Sequence, residues 1–338
     1  MSLFVLIRSF FFLVNYRCCR TLILPVLLIN ISACSPVPAT PELTPVNVQL
    51  RWTHQSQFAG FYAAEENGDY AAEGLAVTFL EGGPDMDIHA SVKDGRAQFG
   101  VAGADSLILR RAAGEPFKAI ATIYRHNPLV FITLESSGIT QPQDFAGKTI
   151  LIASFNTAIL HAMTSRAGVM PDQYTETCCD YGSFYSGEID VAHAYLTNEV
   201  INARNEGHRL HIINPDDYGV HFYADTLYVT DEFATRNPDV VSRFLRATLR
   251  GWTYVVANPE AAGPLVQKYN PDADSELEIA KMTASIPLVN TGEDFIGWMK
   301  PGVWAGMETT LREEGLLTGN FDIEQVYAMQ FIEEIYRR

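Results

Sequence analysis

This sequence is short of cysteine and of positive charge. It holds 5 cysteines in 338 residues, three of them (Cys18, Cys19 and Cys34) near the amino terminus. Only the adjacent pair Cys178-Cys179 lies beyond. There is no CxxC pair and no His-Cys cluster at zinc spacing, which excludes the common zinc and thiol-redox motifs. Neighbouring cysteines rarely bond, because trans-linked Cα atoms sit closer than a disulfide prefers. The pair is therefore expected to serve as small buried hydrophobes. Basic residues number 24 against 40 acidic ones, a formal charge of −16. A surface that acidic repels phosphate backbones and excludes nucleic acid as a partner. No GxGxxG, GxxxxGK[ST] or GxSxG pattern occurs, so nucleotide hydrolysis and a serine-hydrolase elbow are not indicated. No period of 20 to 50 residues repeats, which excludes solenoids and propellers.

Long apolar runs are also missing, except at the amino terminus. The first 33 residues carry three arginines and no acid, and TLILPVLLINISA is a thirteen-residue, largely apolar run. Such a run is too short for a stable membrane span and has the layout of an export signal. It ends in Ile31-Ser32-Ala33-Cys34, which resembles the bacterial lipobox; the resemblance implies a lipidated Cys34 as first mature residue. SPVPATPELTP follows, with four prolines in eleven residues, and proline keeps such a segment extended. The expected layout is a signal over 1–33 and a tether over 34–45.

What the chain does have is ordinary globular composition, 47% apolar and 19% charged, and length for two domains. From Val46 strand-like and helix-like pieces alternate: VNVQLRW, GFYAAEEN, LAVTFLEGG, DMDIHASVKDG, AQFGVAGADSLILRRAAG, FKAIATIY and PLVFITLES. A second such series begins near Asp144, and PDVVSRFLRATLRGWTYVVANP has helical spacing. Strands separated by helical crossovers predict an α/β architecture of mainly parallel sheets. The expected division is one lobe of 46–140 with 229–338, a second of 141–228, two crossings, and a ligand cleft between them.

WTHQSQFAGFYAAEENGDYAAEGLAVTFLEGG, then GVAGAD, DFAGKTI, GEIDVAHAYLTNE and DTLYVTDEF, resemble in order the thiamine-pyrimidine-synthase-like solute-binding proteins. The resemblance covers nearly the whole chain beyond Val46 and implies a type-II periplasmic-binding-protein fold. It further implies an extracytoplasmic receptor of an ABC importer, and the pattern looks most like the lipid-anchored riboflavin receptors of that family. The synthase branch carries a histidine where Phe58 stands, and a cysteine-rich run where this chain reads GVHFYA. A phenyl ring neither donates, accepts nor ligates iron. The enzyme is thus the runner-up from a different class, with His54 as its only nearby substitute, and no catalytic residue, cofactor or metal is expected.

Aromatic faces suit a flat ligand. Trp52 and Phe58 bracket the first loop, with Tyr62, Phe155, Tyr181, Tyr195, Phe222 and Tyr223 in or beside other loops; core packing is the competing account of each. Phe58 is expected to form a stacking wall. The resemblance places the pocket also at Tyr195, Asn198 and Glu199, where Glu199 accepts from a heterocycle and Asn198 both donates and accepts. Gln55, Gln57, Asp105 and Ser106 are further candidates, although Asp105 or Ser106 serves equally as a helix cap. The scattered histidines, His193 and His89 included, are expected on the surface or satisfied in the core. With no basic residue in the loop after Trp52, the expected ligand is uncharged riboflavin, ahead of a thiamine pyrimidine precursor. The expected setting is a monomer, tethered by lipid to the outer face of the cell membrane, delivering its ligand to a permease.

Overall fold

The computed structural model describes residues 42–83, 86–178 and 180–337. The expected signal, Cys34 and residues 34–41 of the expected tether lie outside them. Residues 42–338 form one compact unit built on two five-stranded sheets. The first has the order β2 (Leu75–Leu80), β1 (Thr44–Gln49), β3 (Phe99–Ala102), β10 (Ala224–Thr230), β4 (Phe117–Tyr124). The second repeats the plan as β7 (Thr175–Thr177), β6 (Thr149–Leu151), β8 (Val191–Tyr195), β5 (Leu129–Leu134), β9 (Leu210–Ile213). β4, β5 and β10 are buried along almost their whole length, as their continuous apolar runs require of strands covered on both faces.

Each sheet is mainly parallel, as expected, with one reversed strand: β10 runs antiparallel to β3 and β4, and β5 antiparallel to β8 and β9. The strand that enters each sheet from a crossing arrives against the direction of the others. Three other expectations are corrected. The lobe boundary moves, because β5 sits in the second sheet and β10 in the first. The crossings therefore run from Tyr124 to Leu129 and from the 3-10 turn Pro215–Tyr218 to Ala224, not near 141 and 228. A strand apolar on both faces carries no mark of which sheet it joins. Finally β1 starts at Thr44, so Pro45, expected in the tether, belongs to the sheet. Cys178 departs from its reading as well, being exposed and disulfide-bonded rather than a buried hydrophobe.

The C-terminal helices close the first lobe. Helix Pro238–Ala257 begins with a proline whose fixed φ suits a first turn, and buries Val241, Phe244, Leu245, Trp252 and Val255 at helical spacing. It crosses helix Ala59–Glu66 backbone against backbone. A Cβ on Gly60 would sit 2.2 Å from the Trp252 ring, and one on Gly251 2.1 Å from the Gly60 carbonyl oxygen. That close approach fixes the loop entering Ala59–Glu66, which is the loop leaving β1. Helix Pro301–Glu313, by contrast, also reaches the second lobe: Arg166 donates to Thr310 Oγ1 at 3.0 Å and to Glu313 at 3.1 Å.

Candidate ligand site between the lobes

Loops at the carboxyl ends of β1, β2 and β3 meet loops of the second lobe. β1 runs into buried Leu50 and Arg51, and Ser56 N–H donates to Glu278 Oε2 at 2.7 Å, pinning the loop to helix Ser275–Val289. Glu278 is in turn paired with Lys281 at 2.6 Å, both side chains buried. Arg51 is only 8% exposed. One of its N–H groups donates to Asp225 Oδ1 at 3.3 Å, and its guanidinium carbon lies 5.4 Å from the Phe155 ring centre and 5.6 Å from that of Tyr195. Both distances are within reach of cation–π attraction. Guanidinium offers five N–H donors, and among the described residues Arg51 uses one.

Asp225 opens β10 with φ +47°, the left-handed region that aspartate tolerates better than most side chains. That turn aims its carboxylate back at the loop. Its Oδ2 accepts from Gln57 Nε2 at 2.6 Å, and Gln57 Oε1 accepts from Gln55 Nε2 at 2.8 Å. Burial pushes the Asp225 and Asp105 carboxyls up from their ordinary value, against the pull of the Arg51 charge.

In the second lobe a 3-10 turn, Ser154–Asn156, presents Phe155, and β8 ends at Tyr195. Glu199, half-buried at the start of helix Glu199–Asn205, accepts from the Tyr195 backbone N–H and from Asn198 Nδ2, each at 2.7 Å. Burial raises its pKa; those hydrogen bonds and Lys281 oppose the rise. Asn156 Nδ2 lies 3.2 Å from His193 Nδ1. Burial, with Arg51 second, lowers the His193 pKa to about 4, so the ring is neutral at pH 7. An amide nitrogen only donates, so Nδ1 accepts and Nε2 carries the proton.

These groups enclose two adjoining spaces with Arg51 and Phe155 as their common wall. One is a slot of about 30 Å3 lined by Trp52, Gln55, Gln57, Asn156, His193, Tyr195, Asn198 and Glu199. The other is a chamber of about 420 Å3 lined by Asp87, His89, Ser106, Arg110, Ser154 and the glycines that end β2 and β3. The Trp52 and Phe155 rings approach edge to face across the slot, centres 6.3 Å apart. A volume near 30 Å3 is the share of one water molecule in the liquid, so a ring enters only when these walls part.

Of the residues expected from sequence, Trp52, Gln57, Phe155, Tyr195, Asn198 and Glu199 come together at the slot, and Ser106 faces the chamber. Asp105 is buried close to Arg51. Four expectations fail. Phe58 is 0% exposed in the first-lobe core against Phe61 and forms no stacking wall. Tyr62 stacks on Tyr269 at 4.3 Å and bonds His54 Nδ1 through its hydroxyl at 2.7 Å. Phe222 lines a separate space beside Arg125 and His221. Tyr223 packs on Trp304, its hydroxyl accepting from Lys300 N–H at 3.0 Å. Phe58, Phe222 and Tyr223 flank loops but turn their rings toward a helix, and Tyr62 lies within helix Ala59–Glu66 itself. Sequence reasoning missed Arg51, Asn156, Asp225 and the donor role of His193; a lone arginine closing the apolar strand VNVQLRW was the available signal.

A family model described as NMT1/THI5 like matches residues 55–262, more than half of the chain. The chain is 27% identical to the riboflavin-binding protein RibY of Chloroflexus aurantiacus, over 93% of this chain and 97% of that one. It is 26% identical to a 4-amino-5-hydroxymethyl-2-methylpyrimidine phosphate synthase of Legionella pneumophila, covering 86% and 92%. It is also 26% identical to a formylaminopyrimidine-binding protein of Halalkalibacterium halodurans, covering 81% and 91%. Among solved structures, the aliphatic sulphonate binding protein SsuA of Escherichia coli superposes with a TM-score of 0.66 at 16% identity, covering 85% of this chain and 92% of that one. The alkanesulfonate-binding protein of Xanthomonas axonopodis gives 0.68 at 12% identity, covering 86% and 100%. The fold is thus the two-lobed fold of periplasmic binding proteins, and the chain belongs to the NMT1/THI5-like family.

Proposed function

We propose that this protein is a solute-binding receptor of an ABC importer and that riboflavin is its ligand. The observation that carries this reading is the slot itself: Trp52, Phe155 and Tyr195 gathered around Arg51, with donors and acceptors along one edge. An imide edge presents two carbonyls and an N–H. Arg51 and His193 Nε2–H supply donors for the carbonyls, and Glu199 retains lone pairs for the N–H. The resemblance over most of its length to a riboflavin-binding protein agrees with this. Lipidation at Cys34 tethers the receptor to the outer face of the membrane in this reading, and a hinge at the two crossings opens the slot.

A synthase activity is the poorer reading. Phe58, at the position where the synthase branch carries histidine, is sealed in the core. His54, its only nearby substitute, is engaged by Tyr62 and stacks on Tyr269 at 5.1 Å. A thiamine pyrimidine is the second ligand reading. It is favoured by the narrowness of the slot and by Glu199, which suits an amino group beside a ring nitrogen.

The test uses the soluble chain from Ser35, unfolded and refolded to strip carried-over ligand. Riboflavin is titrated by quenching of its own fluorescence, with hydroxymethylpyrimidine and its formylamino relative followed by calorimetry. Stoichiometric quenching below micromolar concentration is expected. Heat from a pyrimidine with no quenching transfers the assignment to pyrimidine salvage.

A further inference from the structure

The 420 Å3 chamber is larger than the slot and different in kind. Of the slot's three large aromatics it shares only Phe155; its walls add Asp87, Arg110 and two serines beside apolar Met86 and Ile88, and it adjoins the slot at Arg51. A ligand whose ring occupies the slot has any substituent directed there. The charges of the chamber decide what that substituent is.

Both arginines of the chamber are already matched. Arg51 pairs with Asp225. Arg110 donates to Asp87 Oδ1 and to Glu115 Oε1, each at 3.1 Å. With Asp105 beside Arg51 and Lys93 3.6 Å from Glu115, four carboxylates stand against three cations. His89 adds no charge at pH 7: burial, with Arg110 second, lowers its pKa to about 3. Its Nε2 is engaged with Ser106 Oγ at 2.7 Å.

Asp87 is the one carboxylate among the residues that line the open space, and its side chain is about half exposed. It caps helix Ile88–Lys93, and among the described residues its three hydrogen bonds all go to Oδ1, from His89 N–H (3.1 Å), Ala90 N–H (3.3 Å) and Arg110. Among those residues Oδ2 accepts no hydrogen bond, and it faces the ligand in this arrangement. Partial burial opposes its charge, but Arg110 and the two backbone N–H groups hold the carboxyl below its ordinary value. It is therefore a carboxylate at neutral pH, and what it accepts must donate. Hydroxyl groups both donate and accept, so they satisfy Asp87, Ser106, Ser154 and the unused N–H groups of Arg51 together. A phosphate ester carries about −1.5 to −2 charge at pH 7 and offers mainly acceptors. Placed here it meets the Asp87 carboxylate, beside arginines whose charge Asp225 and Glu115 already offset.

We propose that the chamber takes a neutral, hydroxyl-rich tail and turns away its phosphorylated counterpart, with Asp87 as the discriminating residue. This rests on the riboflavin reading and sharpens it.

The experiment compares riboflavin with riboflavin 5′-phosphate on the wild-type chain and on Asp87→Asn. Asparagine caps a helix about as well as aspartate, so the variant keeps the turn. On the wild type the phosphate is expected to bind about tenfold more weakly or worse at low salt. The gap should narrow near 1 M salt, where the screening length is about 3 Å. In Asp87→Asn the ratio of the two affinities should move several-fold toward one. Equal binding of both flavins by the wild type overturns the proposal and leaves the riboflavin reading standing. A ratio unchanged in Asp87→Asn overturns the role of Asp87. No binding of either flavin sinks the proposal together with the reading beneath it.

Discussion

The two walls of the slot are built in opposite ways. The second lobe assembles Tyr195, Asn198 and Glu199 within five consecutive residues, the first two donating to Glu199 within the turn itself. The first lobe assembles Arg51, Gln57 and Asp225 from chain positions 174 and 168 residues apart. One wall is a local turn that any neighbour can dock against. The other is a cross-link between a loop and the strand that returns from the crossing, and it holds only if both are in place. A recognition surface built locally should lose affinity when cut; one built from distant parts should lose stability first.

Arg51→Met tests that contrast most severely. It leaves Asp225 buried without its cation, and a cost of about 3–5 kcal/mol is expected in urea unfolding. Asp225→Asn on the same chain should recover most of it, and a single-variant loss under 1 kcal/mol would show that the cross-link holds nothing. Phe58→Ala should cost a similar amount, about 3–5 kcal/mol, because it empties core volume. Glu199→Gln on the local wall should instead leave the melting temperature nearly unchanged and weaken the ligand by about 1.5–3 kcal/mol in calorimetry. Trp52→Ala should lower affinity by about 1 kcal/mol, the scale of one aromatic contact.

The smallest effect is shared by both walls. His193 and His89 have folded pKa values of about 4 and about 3, below the ordinary 6.5. The unfolded chain then binds more protons, so their contribution is present above pH 6.5 and is lost as pH falls toward the folded values. Between pH 7 and 6 each should remove about 0.7 kcal/mol. Buried carboxyls with raised values (Asp105, Asp225, Glu199) act in the reverse sense, stabilising below their ordinary pKa and losing that as pH rises. Melting curves of wild type against His193→Asn, compared at pH 7, 6 and 5, isolate one histidine from that background. A pH-independent difference would place its pKa near the unfolded value.

What could be read from the sequence followed the same division. Tyr195, Asn198 and Glu199 were legible because the family resemblance runs through that one short segment, which carries all three. Trp52, Gln57 and Phe155 were legible from strand-end loops. Asp225 was not, since nothing near it in the chain announces a partner on β1. The absence of a basic residue after Trp52 also misled: the cation of the site stands one position before it. Phe222 and Tyr223 show the reverse error, aromatics beside a crossing that serve the helix behind them. The succession of strands was legible through β5, and the lobe boundary was lost there because its apolar run fits either sheet.

The place of β10 has a consequence for the order in which the molecule is made. The strands of the second sheet, from Leu129 to Ile213, form one uninterrupted stretch of chain, so that lobe has all its strands as soon as it emerges. The first sheet waits: β4 pairs within it only with β10, which is synthesised after the entire second lobe. During synthesis from the amino end, β4 therefore stands as an apolar strand without its neighbour, and the early half of the protein completes late. Arg51 meets Asp225 only when β10 enters, and Ser56 meets Glu278 later still, so the ligand site is completed late, along with the first lobe.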